Sequence, residues 1–177
     1  MSEWVVLTYR LPAEPSRHRV AVWRELRRVG ALSLQQATWA VPARGHFVDA
    51  VSRAVSLVEK AGGEALVFDA QPKGAQGEEW LEQAFTAERE EEWREFIAEC
   101  AKFEQEIEKE IATEKFTAAE LDEEEQNIER LQRWFRELRG RDVFVASAQE
   151  PAEQLLNQCA ERLDEFAERV YSYGGEQ

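Results

Sequence analysis

The stretch from Glu78 to Thr113 contains neither glycine nor proline, and this long uninterrupted segment limits the choice of fold more than any other feature. Its apolar residues recur every three or four positions, which is the spacing of one face of an α-helix. They are Trp93, Phe96, Ile97, Cys100, Phe103, Ile107 and Ile111. Because strands are usually much shorter than this segment, its length and spacing together predict one long helix.

Two further helices are predicted after it. Thr117 begins a capping-box sequence, in which an N-terminal hydroxyl accepts a hydrogen bond from a backbone N–H three residues later, and we expect that helix to end at Gly140. The last helix is expected to begin at Ser147-x-x-Glu150 or at the proline that follows. Residues 78–177 are therefore predicted to form an all-α, three-helix region that packs on the N-terminal domain or on a partner subunit.

The N-terminal seventy residues switch repeatedly between strand and helix periodicity. Both faces of the first predicted strand are apolar, so we expect it to be covered on both sides. The predicted order is strand 3–9, helix 16–29, strands 31–35 and 38–41, helix 46–61 and strand 64–70. We expect Glu14 or Ser16 to cap the first helix and Gly30 to end it. This βαββαβ order, with right-handed crossovers, predicts a ferredoxin-like sheet domain.

A Pro- and Gly-containing segment separates the two halves. The chain is therefore predicted to be an α+β protein with a ferredoxin-like βαββαβ domain at 1–72, a linker at 73–77 and the all-α helical region at 78–177. Trp80, Leu81 and Phe85 begin the helical region and need burial. We expect the open face of the sheet, the last helix or another subunit to cover them.

The two halves also differ in charge. Residues 1–76 carry 10 Lys and Arg against 7 Asp and Glu, a net +3, whereas residues 77–177 carry 12 against 29, a net −17. Because the whole chain has a net charge of −14, it cannot attract nucleic acid or anionic lipid in bulk. Any such role requires a local basic patch in the first half.

Nothing in the sequence predicts a membrane or secreted protein. No apolar run reaches the ~20 residues of a membrane span, and Met1–Arg10 lacks the layout of a signal peptide. We therefore expect a cytoplasmic protein without membrane contact. Cys100 and Cys159 lie on apolar helix stripes, so both are expected to be buried and reduced, with no disulfide between them.

We find no residue constellation for catalysis, a metal or a cofactor. The acidic runs at 88–92 and 122–125 lack the Glu-x-x-His pattern of di-iron bundles, and they read as solvated faces. The only histidines, His18 and His46, have no evident partner in sequence. No P-loop, Gly-x-Gly-x-x-Gly, Gly-x-Ser-x-Gly or Cys-x-x-Cys motif is present. The expectation is a protein that is not an enzyme and has no cofactor.

A basic cluster is the strongest functional signal. Its residues are Arg10, Arg17, Arg19, Arg24, Arg27 and Arg28, with Arg44 nearby. Arg17, Arg24 and Arg28 share the outer face of the first helix, and the inner face is expected to carry Val22, Trp23, Leu26 and Val29. Guanidinium groups on one helix face suit phosphate contacts. The alternatives are a solvated face, or ion pairs with the acidic helices of the same chain.

Several segments of the chain resemble the N-terminal domain of the ChrB family, the regulators of bacterial chromate-resistance operons. The resemblance rests on residues 4–24, with Leu-Pro-x-Glu-Pro-Ser-Arg-x-Arg-Val at 11–20, and on 30–31, 38–42, 116–121, 141–144 and 161–171. It covers nearly the whole chain. The strand, turn and basic helix are also distantly similar to the middle domain of PaaX-type repressors and to the CRISPR adaptation nuclease fold. That nuclease pattern has an Asp where this chain has Tyr9-Arg10, which disfavours a metal-dependent nuclease.

This resemblance implies a non-enzymatic transcriptional regulator linked to chromate resistance. Together with the basic helix, it predicts that the chain binds operator DNA through Arg10, Arg17, Arg19, Arg24, Arg27 and Arg28. The alternative is an interaction or scaffold protein without DNA contact, whose acidic helical half docks a protein partner. A homodimer is a third partnership to consider.

Overall fold

Within residues 3–175, which the computed structural model describes, four strands and five helices follow one another in an α+β arrangement. They are β1 (Trp4–Arg10), α1 (Ser16–Val29), β2 (Leu32–Gln35), β3 (Thr38–Pro42), α2 (Gly45–Lys60), β4 (Glu64–Ala70), α3 (Ala75–Ala112), α4 (Ala118–Arg141) and α5 (Gln149–Gly175). The predicted α+β class is confirmed. No strand follows residue 77 in this part of the chain.

The chain divides into two compact units inside α3. Unit 1 ends at Glu88 and unit 2 begins at Arg89. The helix α3 has 38 residues and begins at Ala75, so it starts within the segment 73–77 that reads as a linker in the sequence. Unit 1 therefore contains the sheet, α1, α2 and the first turns of α3.

The four strands of unit 1 form one antiparallel sheet in the order β2-β3-β1-β4. The central strand β1 pairs with β3 from Trp4 to Thr8 and with β4 along all seven of its residues. Trp4 on one face of β1 and Val5 and Leu7 on the other are all buried, as the two-sided apolar pattern predicts. The edge strand β2 is short, and its pairing with β3 shifts register at Ser33.

Helix α1 has the predicted span but a different N-terminus. Pro15 occupies the N-cap position, and no side chain caps the helix. The expectation that Glu14 or Ser16 caps it is wrong, because Ser16 is already the first helical residue. Gly30 ends the helix as predicted, since its φ of 80° is left-handed, a conformation that glycine adopts without the steric penalty of a Cβ.

The inner face of α1 is narrower than the sequence suggests. Val22 and Leu26 are buried, but the side chain of Trp23 is 50% exposed. Trp23 follows Val22 by one residue and is therefore about 100° further round the helix. Its assignment to the inner face is wrong, and the indole instead flanks the core.

A cluster of aromatic rings joins β1, α2 and the first turns of α3. The ring of Phe85 lies edge-on to Trp4 at 5.9 Å and to Phe47 at 6.0 Å, and all three are buried. Trp80 is 58% exposed, so the described part of this chain does not bury it as it buries Phe85, and cover by another subunit stays a prediction. The two residues are five positions apart, which places them about 140° apart around the helix.

Unit 2 has its own apolar core, built from α3, α4 and α5. Trp93 of α3 and Phe135 of α4 are in contact there, with ring centroids 5.2 Å apart. The predicted Thr117 cap is confirmed, because its Oγ1 accepts a 3.2 Å hydrogen bond from the Glu120 N–H. The expected stop at Gly140 is wrong, since α4 continues to Arg141 and the chain leaves the helix at Asp142.

Crossing a bilayer requires a long, apolar helix, and none between residues 3 and 175 meets that requirement.

Candidate nucleic-acid interface

Helix α1 presents three arginines on the side opposite its buried residues. Arg17, Arg24 and Arg28 are separated by seven and four positions, so they share one face within about 40°. All three are exposed. We call this surface the arginine face.

The arginine face is only partly neutralised. Nη2 of Arg28 lies 2.6 Å from Oε2 of Glu25, and Arg53 of α2 binds the other oxygen of the same carboxylate. Although burial opposes the change, these two arginines lower the pKa of Glu25. Arg17 and Arg24 make no ion pair with any residue in the described range 3–175.

The position of the basic residues is not explained by helix stability alone. Arg27 and Arg28 lie in the last turn of α1, where cations are favoured by the helix dipole. Arg17 and Arg19 lie in the first turn, which contains no acidic residue, and there the dipole disfavours a cation by roughly 0.3–1 kcal/mol. An anion bound near this N-terminus would turn that unfavourable placement into a favourable one.

A second surface lies on one flank of α1 and is formed with the sheet of unit 1. It is an open cleft of about 580 Å³ lined by Tyr9, Arg19, Val20, Trp23, Arg27, Ser33, Gln36, Ala37 and Trp39. We call it the aromatic cleft. Arg19 donates a hydrogen bond to the backbone oxygen of Ala13, and Nη1 of Arg27 is 4.0 Å from Oε2 of Glu88.

The aromatic walls of the cleft are polar at their edges. Burial raises the pKa of the Tyr9 hydroxyl, and the neighbouring indole of Trp39 opposes that rise. The indole Nε1 of Trp39 is itself buried, and its approach to the Tyr9 hydroxyl falls short of normal hydrogen-bond geometry.

The structure thus distributes the six predicted arginines over three places. Arg17, Arg24 and Arg28 form the arginine face, and Arg19 and Arg27 line the aromatic cleft. Arg10 lies apart from both, at the end of β1, where its Nη2 is 3.2 Å from Oε2 of Glu64.

Sequence reasoning missed the aromatic contribution to this region. Trp23 lies four residues after Arg19 and four before Arg27, so helical spacing alone places the three side chains on one flank of α1. Tyr9 and Trp39 join them only because β1 and β3 pair within the sheet, with Leu7 opposite Trp39.

The histidines, the cysteines and the acidic residues are the other candidates for a chemical site. Within residues 3–175, no group of three His, Cys, Asp or Glu side chains has a geometry that could hold a metal ion. The His46 ring contacts the Phe47 ring in a tilted arrangement, with ring centroids 4.1 Å apart. Cys100 and Cys159 are free and buried as predicted, and contact with Cys159 together with burial raises the pKa of the Cys100 thiol.

Comparison with protein-family models relates the chain to known proteins. A family model described as "Protein ChrB, N-terminal" matches residues 19–177, which is nearly the full chain. The matched range includes Arg19, Arg24, Arg27 and Arg28, and it begins after Arg10 and Arg17. Among curated proteins, none matches the sequence significantly.

Proposed function

We propose, from the premise that this chain belongs to the ChrB N-terminal family, that it is a non-enzymatic transcriptional regulator linked to chromate resistance. It acts in the cytoplasm without a cofactor and binds operator DNA through α1. The observation that carries the proposal is the charge of that helix, which has five arginines and one glutamate. Because Glu25 is already bound by Arg28 and Arg53, the helix retains a surplus of exposed positive charge.

The acidic remainder of the protein limits how it can approach DNA. A net charge of −17 on residues 77–177 repels phosphates, so contact has to be confined to α1 and the residues beside it. The arginine face supplies phosphate contacts, which position a protein on the duplex, whereas sequence is read through base contacts or DNA shape. Exposed Trp23 beside Arg27 offers an apolar surface for sugar or base contact.

The fold of unit 1 is consistent with this role. The strand order β2-β3-β1-β4, all antiparallel, supports assignment of unit 1 to the ferredoxin-like arrangement. In that assignment α1 is the first crossover helix, and its outward face is available to a partner.

The proposal includes a homodimer, formed through β4. This edge strand has seven residues in regular register with β1, and Leu66, Val67 and Phe68 are 61%, 47% and 50% exposed. Edge strands that avoid association are usually short, bulged or charged, as β2 is, but β4 is none of these at its centre. Antiparallel pairing of two β4 strands about Val67 would set Leu66 opposite Phe68 of the second copy, with no like charges opposed. A dimer of this kind would present two copies of α1 to DNA.

A gel shift tests the DNA-binding function. The probe is the DNA immediately upstream of the gene for this chain, and an unrelated fragment of equal length is the control. We expect the upstream fragment to bind more tightly than the control, and the affinity to fall with a negative log–log slope when salt is raised. No shift at low salt, or equal affinity for both fragments, would contradict operator binding.

The second candidate function is an interaction protein without DNA contact. The observation that favours it is the −17 charge of residues 77–177, which suits a basic protein partner. This alternative predicts no shift with either DNA fragment, and it predicts salt-sensitive capture of a basic partner that requires α4 or α5 residues.

A further inference from the structure

The aromatic cleft differs from the arginine face in shape and chemistry. The arginine face is defined by guanidinium groups on the outer side of α1, whereas the cleft is concave and has three aromatic side chains, Tyr9, Trp23 and Trp39. Its volume of about 580 Å³ lies within the ~300–1,000 Å³ of small-molecule sites. All of its lining residues belong to unit 1.

We propose that the aromatic cleft binds a small planar anion, which is an aromatic ring or heterocycle that carries a carboxylate or a phosphate. This proposal does not rest on the DNA binding proposed above.

The aromatic walls of the cleft would contact the planar ring of the ligand. Trp23 keeps half of its surface exposed although a flat indole of this size gains from burial. Val20, one turn before it, is 40% exposed and lines the same cleft. A planar ring placed here would cover both side chains and stack on the indole.

Arg19 and Arg27 are the residues that would bind the negatively charged group of the ligand. Arg19 and Arg27 are eight residues apart on α1, so they lie on the same flank, on either side of Trp23 along the helix. Each has one neighbouring acceptor, the Ala13 carbonyl for Arg19 and Glu88 at 4.0 Å for Arg27. A guanidinium has five donors, so both retain capacity for a carboxylate or phosphate oxygen.

Trp39 and the adjacent Tyr9 place polar groups in the wall of the cleft. The buried Nε1–H of Trp39 approaches the Tyr9 hydroxyl without reaching normal hydrogen-bond geometry, and that hydroxyl is itself a hydrogen-bond donor. A ligand oxygen that reached this end of the cleft would be in position to accept a hydrogen bond from either group.

Calorimetric titration of the full chain, without DNA, tests the proposal. The probes are naphthoate and indole carboxylate for the carboxylate source, and nucleoside monophosphates for the phosphate source. Naphthamide is the uncharged control and inorganic phosphate is the non-aromatic control. We expect saturable binding of at least one anionic aromatic probe, at least tenfold tighter than either control, and the probe that binds identifies the source of the anion.

Four substitutions locate the site. Trp23→Ala should weaken binding of the best probe about tenfold, since stacking on one aromatic side chain contributes this order of affinity. Val20→Glu should weaken it similarly by repulsion, whereas Val20→Lys should preserve or strengthen it. Trp80→Ala, which changes an exposed tryptophan outside the cleft, should have no effect. The Val20 pair remains informative even if Trp23→Ala lowers the melting temperature.

Several results would overturn the proposal. One is the absence of saturable heat with every probe at about 1 mM. Another is binding of naphthamide or phosphate as tightly as the anionic aromatics. A third is equal affinity of the Val20→Glu and Val20→Lys variants for the best probe. A short single-stranded DNA that binds this cleft more tightly than every small probe would assign it to nucleic acid instead. None of these outcomes depends on whether the duplex upstream fragment binds.

Discussion

The indole N–H of Trp93 donates a 2.8 Å hydrogen bond to Oδ2 of Asp142, and both side chains are buried in unit 2. The same carboxylate accepts hydrogen bonds from the Ala146 backbone N–H and from Nε2 of Gln149. Asp142 follows α4, so one side chain connects α3, the end of α4 and the beginning of α5. It explains why α4 passes through Gly140 and ends one residue before Asp142.

Replacing Asp142 by Ala should strongly destabilise unit 2. The change leaves the Trp93 and Ala146 N–H groups buried without their acceptor, and each such group costs roughly 1–3 kcal/mol. We expect the free energy of unfolding, measured in urea, to fall by at least about 2 kcal/mol. Asp164→Ala, at an exposed position of α5, is the control and should change it by less than about 0.5 kcal/mol. Equal midpoints for the two variants would contradict the assigned role.

Glu110 should make stability depend on pH. Burial, followed by the nearby Glu120 and Glu124, raises the pKa of this carboxyl from 4.5 to about 7. A folded-state pKa above the unfolded value means that the stabilising contribution is complete below about pH 4.5 and is lost as the pH rises through 7. We therefore expect the free energy of unfolding to decrease over that range.

The variant Glu110→Gln isolates this contribution, because glutamine resembles the protonated acid at every pH. It should be more stable than the parent at pH values above 7, with little difference at acidic pH, and its pH slope should be shallower. Glu125→Gln removes an exposed charge from α4 and should leave the slope unchanged. Equal pH slopes for the parent and for Glu110→Gln would contradict a raised pKa at Glu110.

A substitution at the centre of β4 should reveal the proposed dimer and its register. In antiparallel pairing about Val67, the two copies of this residue face each other with Cβ atoms about 4.5–5.5 Å apart, and the lower end of this range meets the ~3.5–4.5 Å of a disulfide. Val67→Cys should therefore form a covalent dimer on mild oxidation, whereas Ser56→Cys, at an exposed position of α2, should not. Val67→Lys should shift sedimentation equilibrium to the monomer. A parent chain that sediments as a monomer at all concentrations would refute dimerisation through β4.

The arginine face should carry most of any DNA affinity. Replacing Arg17, Arg24 and Arg28 together by Ala should weaken binding of the upstream fragment and reduce the salt slope by about 0.9 for each phosphate that is no longer neutralised. The fold should persist, because all three side chains are exposed. Replacing Arg133, Arg136 and Arg169, also exposed, changes the net charge equally and serves as the control.

The opposite result would favour the interaction-protein alternative. If the arginines of α1 serve to neutralise acidic side chains, the triple variant should keep its DNA behaviour and lose thermal stability at low salt. That combination would remove α1 from the proposed interface.

Features that depend on neighbouring residues in the chain were predictable. The order of strands and helices, the Gly30 stop and the Thr117 cap follow from periodicity and from backbone preferences of single residues, which act over one or two helical turns. The same locality explains the error at Pro15, where the neighbouring Ser16 offered a competing local signal, whereas at Gly140 the contacts of Asp142 with a distant helix override the local stop signal. The grouping of Arg17, Arg24 and Arg28 was equally local, because helical geometry alone places them together.

Contacts between segments far apart in the sequence decided which side chains are buried and which of them line the aromatic cleft. The sequence by itself determined that α1 is basic and that a long helix follows the sheet, since both are properties of composition and spacing. Only the tertiary structure decided that Trp23 flanks a cleft with Tyr9 and Trp39, and that Glu110 and Asp142 are buried. Burial depends on which segments pack against a residue, and that packing is set by the pairing of strands and helices far apart in sequence, which no local pattern encodes.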